Sequence, residues 1–316
     1  MNKNITIIIP LYNKEKYIYK CLNSILLQSY GFYEVLIIDD GSTDNSAKIC
    51  EEFYSKDKRF KYFSKENGGV SSARNLGIEK AKYDYIVFVD ADDYIEEDYL
   101  KSLTEYECDL VVEGFKKDEN GSFSEFHIFN EECNKNQMLK YLMRKEIANI
   151  FSVPYLKLFK LEYIKNNNIR FNEKISFGED FDFVLKYLRT ISGTVKLVDE
   201  CHYINRIEQE SLSRKDLPDI WNQLLIVYNT IKESYDDEKS KSFYLIRFIK
   251  ISLLNSYCKE FKNFKKIFYQ IRNNEEFLKI NFEDINKHSI DWIIYVFIRL
   301  NFRYISYLIF RLKRGK

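Results

Sequence analysis

Three carboxylates stand within four positions, Asp90, Asp92 and Asp93, at the end of the apolar run Tyr85-Ile86-Val87-Phe88-Val89. In an extended chain residues i and i+2 project to the same side, so Asp90 and Asp92 can aim at one point. Two carboxylates placed that way repel unless a cation lies between them or one takes a proton. An oxygen-only ligand set suits a hard ion such as Mg²⁺ or Mn²⁺, which would in turn favour a bound pyrophosphate. The triplet can equally end a strand and cap the helix expected over Glu96 to Leu103. Alone it does not decide the chemistry.

The elements that must position these residues follow from the hydrophobic pattern. Ile5 to Ile9 reads as a buried strand closed by Pro10, and Glu15 to Gln28 as a helix with Tyr17, Ile18, Cys21, Leu22, Ile25 and Leu26 at helical spacing. Val35 to Ile38 is a second buried strand ending in Asp39-Asp40-Gly41-Ser42, and Ser42 or Thr43 can cap the helix that runs to about Tyr54. Phe60 to Phe63 is a short third strand, Gly68-Gly69 breaks the chain, Ser71 to Ala81 is helical, and the Tyr85 run is strand four. Strands alternating with helices mean parallel βαβ units, hence an α/β domain. Three polar clusters each follow a strand: Pro10-Leu11-Tyr12-Asn13, Asp39-Asp40, and Asp90 to Asp93. Together they point to a ligand cleft along one sheet edge.

Beyond Tyr99 the pattern loosens. Leu110 to Glu113 reads as a strand, Asn120-Gly121 as a hairpin turn, Met138 to Arg144 as a helix and Asn166-Asn167-Asn168 as a loop. Gly178-Glu179-Asp180 opens a helix carrying Phe183, Leu185, Tyr187 and Leu188; Val195 to Val198 and Cys201 to Ile204 read as two short strands. From Leu217 onward only helical periodicity remains, so a domain change is expected near Ser213 to Pro218. The 316 residues, 45% hydrophobic and 31% charged, are ordinary for a soluble globular chain of two domains, or of one with a substantial appendage. A net charge of +1 argues against a nucleic-acid binder relying on bulk charge. The six cysteines include no CxxC pair and suit reduced thiols in a cytoplasmic protein. The apolar run in Met1 to Pro10 is too short for a signal peptide.

Residues 5 to about 215 resemble an inverting glycosyltransferase of family two, with the GT-A fold. The matching pieces are Ile7-Ile8-Ile9-Pro10-Leu11-Tyr12-Asn13 and Ile37-Ile38-Asp39-Asp40-Gly41-Ser42-Thr43-Asp44, then the stretch from Asn67 to Gly77, then Val89-Asp90-Ala91-Asp92-Asp93, and Gly178-Glu179-Asp180 with Phe183. Each is weak alone; five in order are specific. The resemblance implies a Rossmann-like, mostly parallel sheet flanked by helices, with a donor-binding half over 1–105, an acceptor and catalytic-base half over 106–215, and a helical C-terminal region over 216–316. It implies Asp92 as the metal ligand of the Asp-x-Asp motif, with Asp90 near the metal, ribose or sugar and Asp93 beside them, holding Mn²⁺ or Mg²⁺. Transfer from a nucleotide sugar leaves a diphosphate carrying extra charge, which such an ion can absorb as a Lewis acid.

By the same resemblance Asp39 and Asp40 hold the nucleoside, Tyr12 lies against the base and Pro10 shapes the turn, although Asp39-Asp40-Gly41 alone reads as a turn and a capped helix. Arg74 either contacts diphosphate or is an exposed helix residue pairing with Glu79. Inversion by single displacement requires a base for the acceptor hydroxyl. That base is implied to be Asp180, with Glu179 orienting it or binding acceptor, and the helix dipole is expected to lower the pKa of Asp180. His202, Arg206, Ser211 and Ser213 are candidates for diphosphate or metal, and Lys157 for acceptor.

From His288 to Lys316 six basic residues face one acidic residue on an aromatic-rich segment, Ile290 to Leu312, whose apolar runs are shorter than the roughly 20 residues of a membrane span. It suits the interface of an anionic membrane, or equally a core helix or a contact between copies in a homo-oligomer. The expected function is an inverting, metal-dependent transfer from a UDP-sugar to a hydroxyl of a glycan or lipid-linked acceptor, in bacterial capsule or exopolysaccharide synthesis, at the cytoplasmic face of the membrane. Two rivals remain: a non-catalytic glycan-assembly protein with the same fold, and a sugar nucleotidyltransferase. The second wants a Gly-rich basic loop after strand one, which Leu11-Tyr12-Asn13-Lys14-Glu15 does not provide.

Overall fold

A computed structural model of the chain describes residues 2–207, 219–257, 261–281, 285 and 290–302. The chain divides into two compact units, residues 1–174 with 179–213, and residues 175–178 with 214–316. The first is built on a ten-stranded mixed sheet. Its N-terminal half is parallel: β1 (Ile5–Leu11) lies between β2 (Tyr33–Asp39) and β4 (Tyr85–Phe88), and β3 (Phe60–Ser64) flanks β2. The crossovers carry α1 (Ile18–Leu26), α2 (Ser46–Tyr54) and α3 (Val70–Lys80). All seven residues of β2 are buried, as are all of β1 except Pro10, which is why both read as unbroken apolar runs. Pro10 does not close β1. Pairing with β4 stops at Ile8 and Phe88, so the missing N–H of Pro10 leaves no ladder bond unmade.

The second half of the sheet adds β5 (Tyr94–Ile95), β6 (Leu110–Glu119), β7 (Ser122–Phe126), β8 (Glu131–Asn134), β9 (Lys157–Lys160) and β10 (Thr194–Arg206). β9 runs antiparallel between β4 and β6, and β10 lies parallel to β6. The two short strands expected over 195–204 are one strand with a bulge between Val198 and Tyr203. Asn120 and Gly121 form the hairpin turn with φ of 55° and 87°, and Glu119 pairs with Ser122 across it. The helix expected at Glu96 starts later, as α4 (Tyr99–Thr104), because Tyr94 and Ile95 pair with β10. Likewise α2 begins at Ser46, and Ser42 and Thr43 do not cap it; the Ser42 hydroxyl accepts from the Asn13 N–H at 3.0 Å, tying the loops after β1 and β2 together. Three short helices, α5 (Lys135–Tyr141), α6 (Lys145–Phe151) and α7 (Leu161–Asn166), precede α8 (Glu179–Thr190). α8 buries Phe183, Leu185, Tyr187 and Leu188, and Phe183 stacks on Phe171 at 4.0 Å.

The second unit is helical among the described residues: α9 (Ile220–Ser234), α10 (Glu238–Tyr257), α11 (Phe261–Arg272), α12 (Glu275–Lys279) and α13 (Ile290–Arg299). α13 buries Ile294, Tyr295 and Ile298; the Tyr295 hydroxyl donates to the Ile280 carbonyl at 3.0 Å and its ring meets Phe277. One face of α13 thus packs into the core of this unit, while Leu300 and Phe302 beyond it are exposed and 303–316 lie outside the described residues. No helix among the described residues is long and apolar enough to cross a membrane.

Candidate active site

The loops after β1, β2 and β4 leave the same edge of the parallel half-sheet; Tyr12, Asp40, Asp90, Asp92 and Asp93 lie on them, with Pro10 and Asp39 at the ends of β1 and β2. Asp39 and Asp40 are both buried. Asp39 accepts from the Ser42 N–H at 2.8 Å and from the Tyr62 hydroxyl. Asp40 accepts from the backbone amides of Gly68 at 2.9 Å and Gly69 at 2.7 Å, and pairs with the Lys65 ammonium at 2.6 Å. Asp40 therefore builds the loop that launches α3, with Gly69 at φ 88° as its hinge. Tyr12 is half-exposed beside this loop cluster, and Pro10 sits in β1 beneath it.

α3 carries Arg74 inward. Gly77 brings the helix against β1 so closely that a Cβ there would stand 2.4 Å from Ile8 Cγ2. Arg74, 4% exposed, donates through Nη1 to Asp180 Oδ1 at 2.6 Å and through Nη2 to Asp90 Oδ1 at 3.0 Å. It is neither the exposed helix arginine nor a partner of Glu79, which pairs with Lys80 instead. Burial pulls the Arg74 pKa down, but the Asp180 and Asp90 carboxylates more than offset that, and the net shift is upward.

The three carboxylates after β4 diverge. Asp90 faces Arg74, while Asp92 Oδ2 holds the Lys14 ammonium at 2.5 Å; about a quarter to a third of each side chain is exposed. Asp93 turns inward, and its carboxylate accepts from the Tyr203 hydroxyl at 2.7 Å, the Arg206 N–H at 2.8 Å and the Asn205 amide. Burial, then the charges of Asp92 and Asp90, push its pKa well above the usual carboxylate range. Asp93 is a clamp on β10, not a surface beside the donor. The expected single focus of Asp90 and Asp92 is not formed, because each carboxylate has its own cation.

α8 presents Glu179 and Asp180 in its first turn. The dipole expectation fails for Asp180: its pKa is pushed up to about 7, first by withdrawal from bulk water, with Arg74 opposing and the Glu179 and Asp90 charges adding to the rise. Burial likewise raises Glu179. A carboxylate poised near neutrality is what a general base requires.

His202 is not brought to this cluster. Neighbouring strand residues face opposite ways, so Tyr203 meets Asp93 while His202 turns to the buried Glu113, Nδ1 to Oε2 at 3.3 Å. The Arg206 guanidinium lies over the rings of Tyr17 and Tyr94. Ser211 and Ser213 lie outside the described residues. Lys157 cannot reach an acceptor: it is fully buried, its ammonium donating to the carbonyls of Ile150, Val153 and Tyr155, and burial drives its pKa well down.

Sequence reasoning missed Lys14 and Tyr203, and placed Asn75 with Arg74 in the donor-side wall without a role of its own. Lys14 stands directly after the first polar cluster, which was its only signal. Tyr203 carries no motif, and its hydroxyl both donates to Asp93 and accepts from the Asp90 N–H at 3.2 Å. Asn75 grips the backbone of Phe171, donating to its carbonyl at 3.0 Å and accepting its N–H at 2.9 Å.

Residues 6–156 match Glycosyl transferase family 2. The chain is 34% identical over 226 residues to glycosyltransferase GlyA of Streptococcus pneumoniae, covering 68% of this chain and 32% of GlyA. It is 27% identical over 295 residues to glycosyltransferase GlyG of the same organism, covering 89% of this chain and 95% of GlyG. Poly(ribitol-phosphate) β-N-acetylglucosaminyltransferase TarS of Staphylococcus aureus is 28% identical over 205 residues, covering 63% of this chain and 35% of TarS. A crystal structure of TarS residues 1–349 with UDP-GlcNAc superposes with a TM-score of 0.79 at 20% identity, covering 99% of this chain and 92% of that one, a likeness of fold.

Proposed function

Given that this chain belongs to glycosyl transferase family 2, we propose that it transfers a sugar, with inversion, from a UDP-sugar to a hydroxyl of a glycan or lipid-linked acceptor in bacterial surface polysaccharide synthesis. The observation that carries this reading is one guanidinium holding both Asp90, from the Asp-x-Asp segment, and Asp180, from the Glu-Asp helix. Donor-side and acceptor-side carboxylates are thereby held by one side chain. The UDP-GlcNAc of the TarS complex supports a uridine donor.

The site fits a divalent ion such as Mn²⁺ or Mg²⁺ held by few protein ligands. Asp92 already holds a cation, the Lys14 ammonium, and its carboxylate is partly exposed. Among the described residues no three His, Cys, Asp or Glu side chains converge to hold a metal. Asp92 would therefore supply one ligand and donor phosphates and water the rest, the usual manner of Mg²⁺. Such an ion would stabilise charge developing on the leaving diphosphate. Asp90, held by Arg74, is left for the donor's ribose or sugar, and His202 has no part.

The residues of the chain divide the remaining work. Asp39 retains lone pairs for a uracil N–H beyond its bonds to Ser42 and Tyr62, and Tyr12 covers the base. Asp40 shapes the loop rather than touching the nucleoside. Asp180 takes the acceptor proton on Oδ2, the oxygen that Arg74 leaves open, as the hydroxyl oxygen attacks the anomeric carbon and the bond to diphosphate breaks. Glu179 orients the acceptor. Arg299 is engaged within the helical unit, by the Tyr295 hydroxyl and the Leu278 carbonyl; the basic residues beyond it, Arg303, Arg311, Lys313, Arg314 and Lys316, set the protein against an anionic membrane surface where a lipid-linked acceptor resides.

Calorimetric titration of UDP, GDP and CDP, with Mn²⁺ and then with EDTA, tests the donor side. UDP should bind in a metal-dependent way and the others at least tenfold more weakly. Tighter binding of GDP would overturn the uridine assignment, and no binding at all would favour a non-catalytic role.

A further inference from the structure

Arg74 is held more firmly than a phosphate-binding arginine needs to be. Its guanidinium lies over the Phe171 ring at 5.2 Å, and Phe171 stacks face to face on Phe183. Phe183 belongs to α8, the helix that carries Asp180. Asn75, next to Arg74 on α3, fixes Phe171 through both backbone groups, and Gly77 seats α3 against Ile8. The segment Arg74-Asn75-Leu76-Gly77 thus builds a frame whose purpose is to place one guanidinium. Both terminal nitrogens go to carboxylates, and Nε is buried with no hydrogen-bond partner among the described residues. A donor left unpaired in the interior is a cost that packing alone does not explain.

We propose that Arg74 is a positioning residue for the transfer reaction: it fixes Asp180 through Oδ1 so that Oδ2 faces the acceptor hydroxyl, and it ties that orientation to Asp90 on the donor side. This rests on the reading of Asp180 as the base. That role commits Arg74 to the two carboxylates rather than to diphosphate: each terminal nitrogen donates to one of them, and one face of the guanidinium is covered by Phe171. The other charged and titratable groups around Asp180 are Glu179 beside it on α8, Asp90 after β4, Lys157 on β9 and Tyr155 before β9. Lys157 is turned to backbone carbonyls, which leaves Arg74 as the cation in contact with the base among the described residues. A lysine at position 74 would keep the charge but could not span both carboxylates, because an ammonium lacks the planar fork.

The test is a mutant cycle on the full chain, following release of UDP from the UDP-sugar that the wild-type protein turns over fastest, with UDP binding measured by calorimetry. Arg74→Lys should lower kcat about 100-fold, the scale of a misplaced catalytic group, with KM for donor and Kd for UDP within about threefold of wild type. In an Asp180→Asn background the same change should cost nothing further, since the two act as one unit. Losses that multiply, or UDP binding weakened tenfold with kcat intact, would overturn the proposal and return Arg74 to the diphosphate. If Arg74→Lys does not fold, Phe171→Leu withdraws the support without touching either carboxylate and should lower kcat while sparing UDP affinity; an unchanged kcat would count equally against it. Full activity of Asp180→Asn itself would instead remove the base assignment, a failure distinct from that of Arg74.

Discussion

Truncating Asp40 to alanine separates a residue that builds the site from one that touches the substrate. The Asp40 carboxylate accepts two backbone N–H groups, from Gly68 and Gly69, and pairs with Lys65. A hydrogen bond to a charged group contributes about 1.5–3 kcal/mol. Both glycines lie at the surface, so water can take over part of that role, and the lower end applies. The Lys65 pair, partly exposed, adds at most about 1 kcal/mol after screening. Asp40→Ala should therefore destabilise the protein by about 3 kcal/mol, a fall in Tm on the order of 6–12 °C for a unit of this size. The assay is thermal and urea unfolding followed by circular dichroism, with calorimetric UDP titration at a temperature where the variant is folded. UDP affinity should drop only a few-fold, through a loosened loop. Stability unchanged within about 0.5 kcal/mol, with UDP binding abolished, would instead make Asp40 a nucleoside ligand.

Other outcomes follow from the same geometry. Gly77→Ala should destabilise by about 1–2 kcal/mol despite its better helix propensity, because the added methyl meets Ile8; a variant more stable than wild type in urea unfolding would contradict the close approach of α3. Asp92→Ala should abolish the Mn²⁺ dependence of UDP binding while leaving residual metal-free binding, and an unchanged calorimetric response to EDTA would remove Asp92 as a ligand. Replacing Arg311, Lys313, Arg314 and Lys316 with glutamine should lower cosedimentation with phosphatidylglycerol vesicles severalfold without changing Tm, whereas deleting residues 290–316 should unfold the helical unit, since α13 buries Ile294, Tyr295 and Ile298. Equal vesicle binding by the glutamine variant would place the basic tail elsewhere than on a membrane.

Much of the donor half was legible because its signals are local. Strands β1, β2 and β4 are buried on both faces and so read as continuous apolar runs, and each ends where its polar cluster begins. The Asn120-Gly121 turn and the acidic start of α8 are equally local. What the sequence hid depends on partners far along the chain. Whether Tyr203 or His202 faces the carboxylates is a matter of strand register past a bulge, which no local pattern states. Asp93 looked like Asp90 and Asp92 until β10 supplied its three donors. The direction of the Asp180 shift was misjudged because the helix dipole is visible in sequence, while burial and the nearby Glu179 and Asp90 charges are tertiary facts. Arg74 looked like an exposed helix residue or a phosphate ligand because its two partners lie 16 and 106 positions away.

The proposed transfer depends above all on Asp180 as the base. The measurement is the pH dependence of kcat for wild type and for Asp180→Asn, with UDP binding determined in parallel. The base must be ionised, so wild-type kcat should rise with pH and level off above an apparent pKa near 7, the value to which burial pushes this carboxyl. Asp180→Asn should lose at least about a thousandfold in kcat at every pH while binding UDP as wild type does. A variant that retains the wild-type rate and the same acid limb would rule Asp180 out as the base.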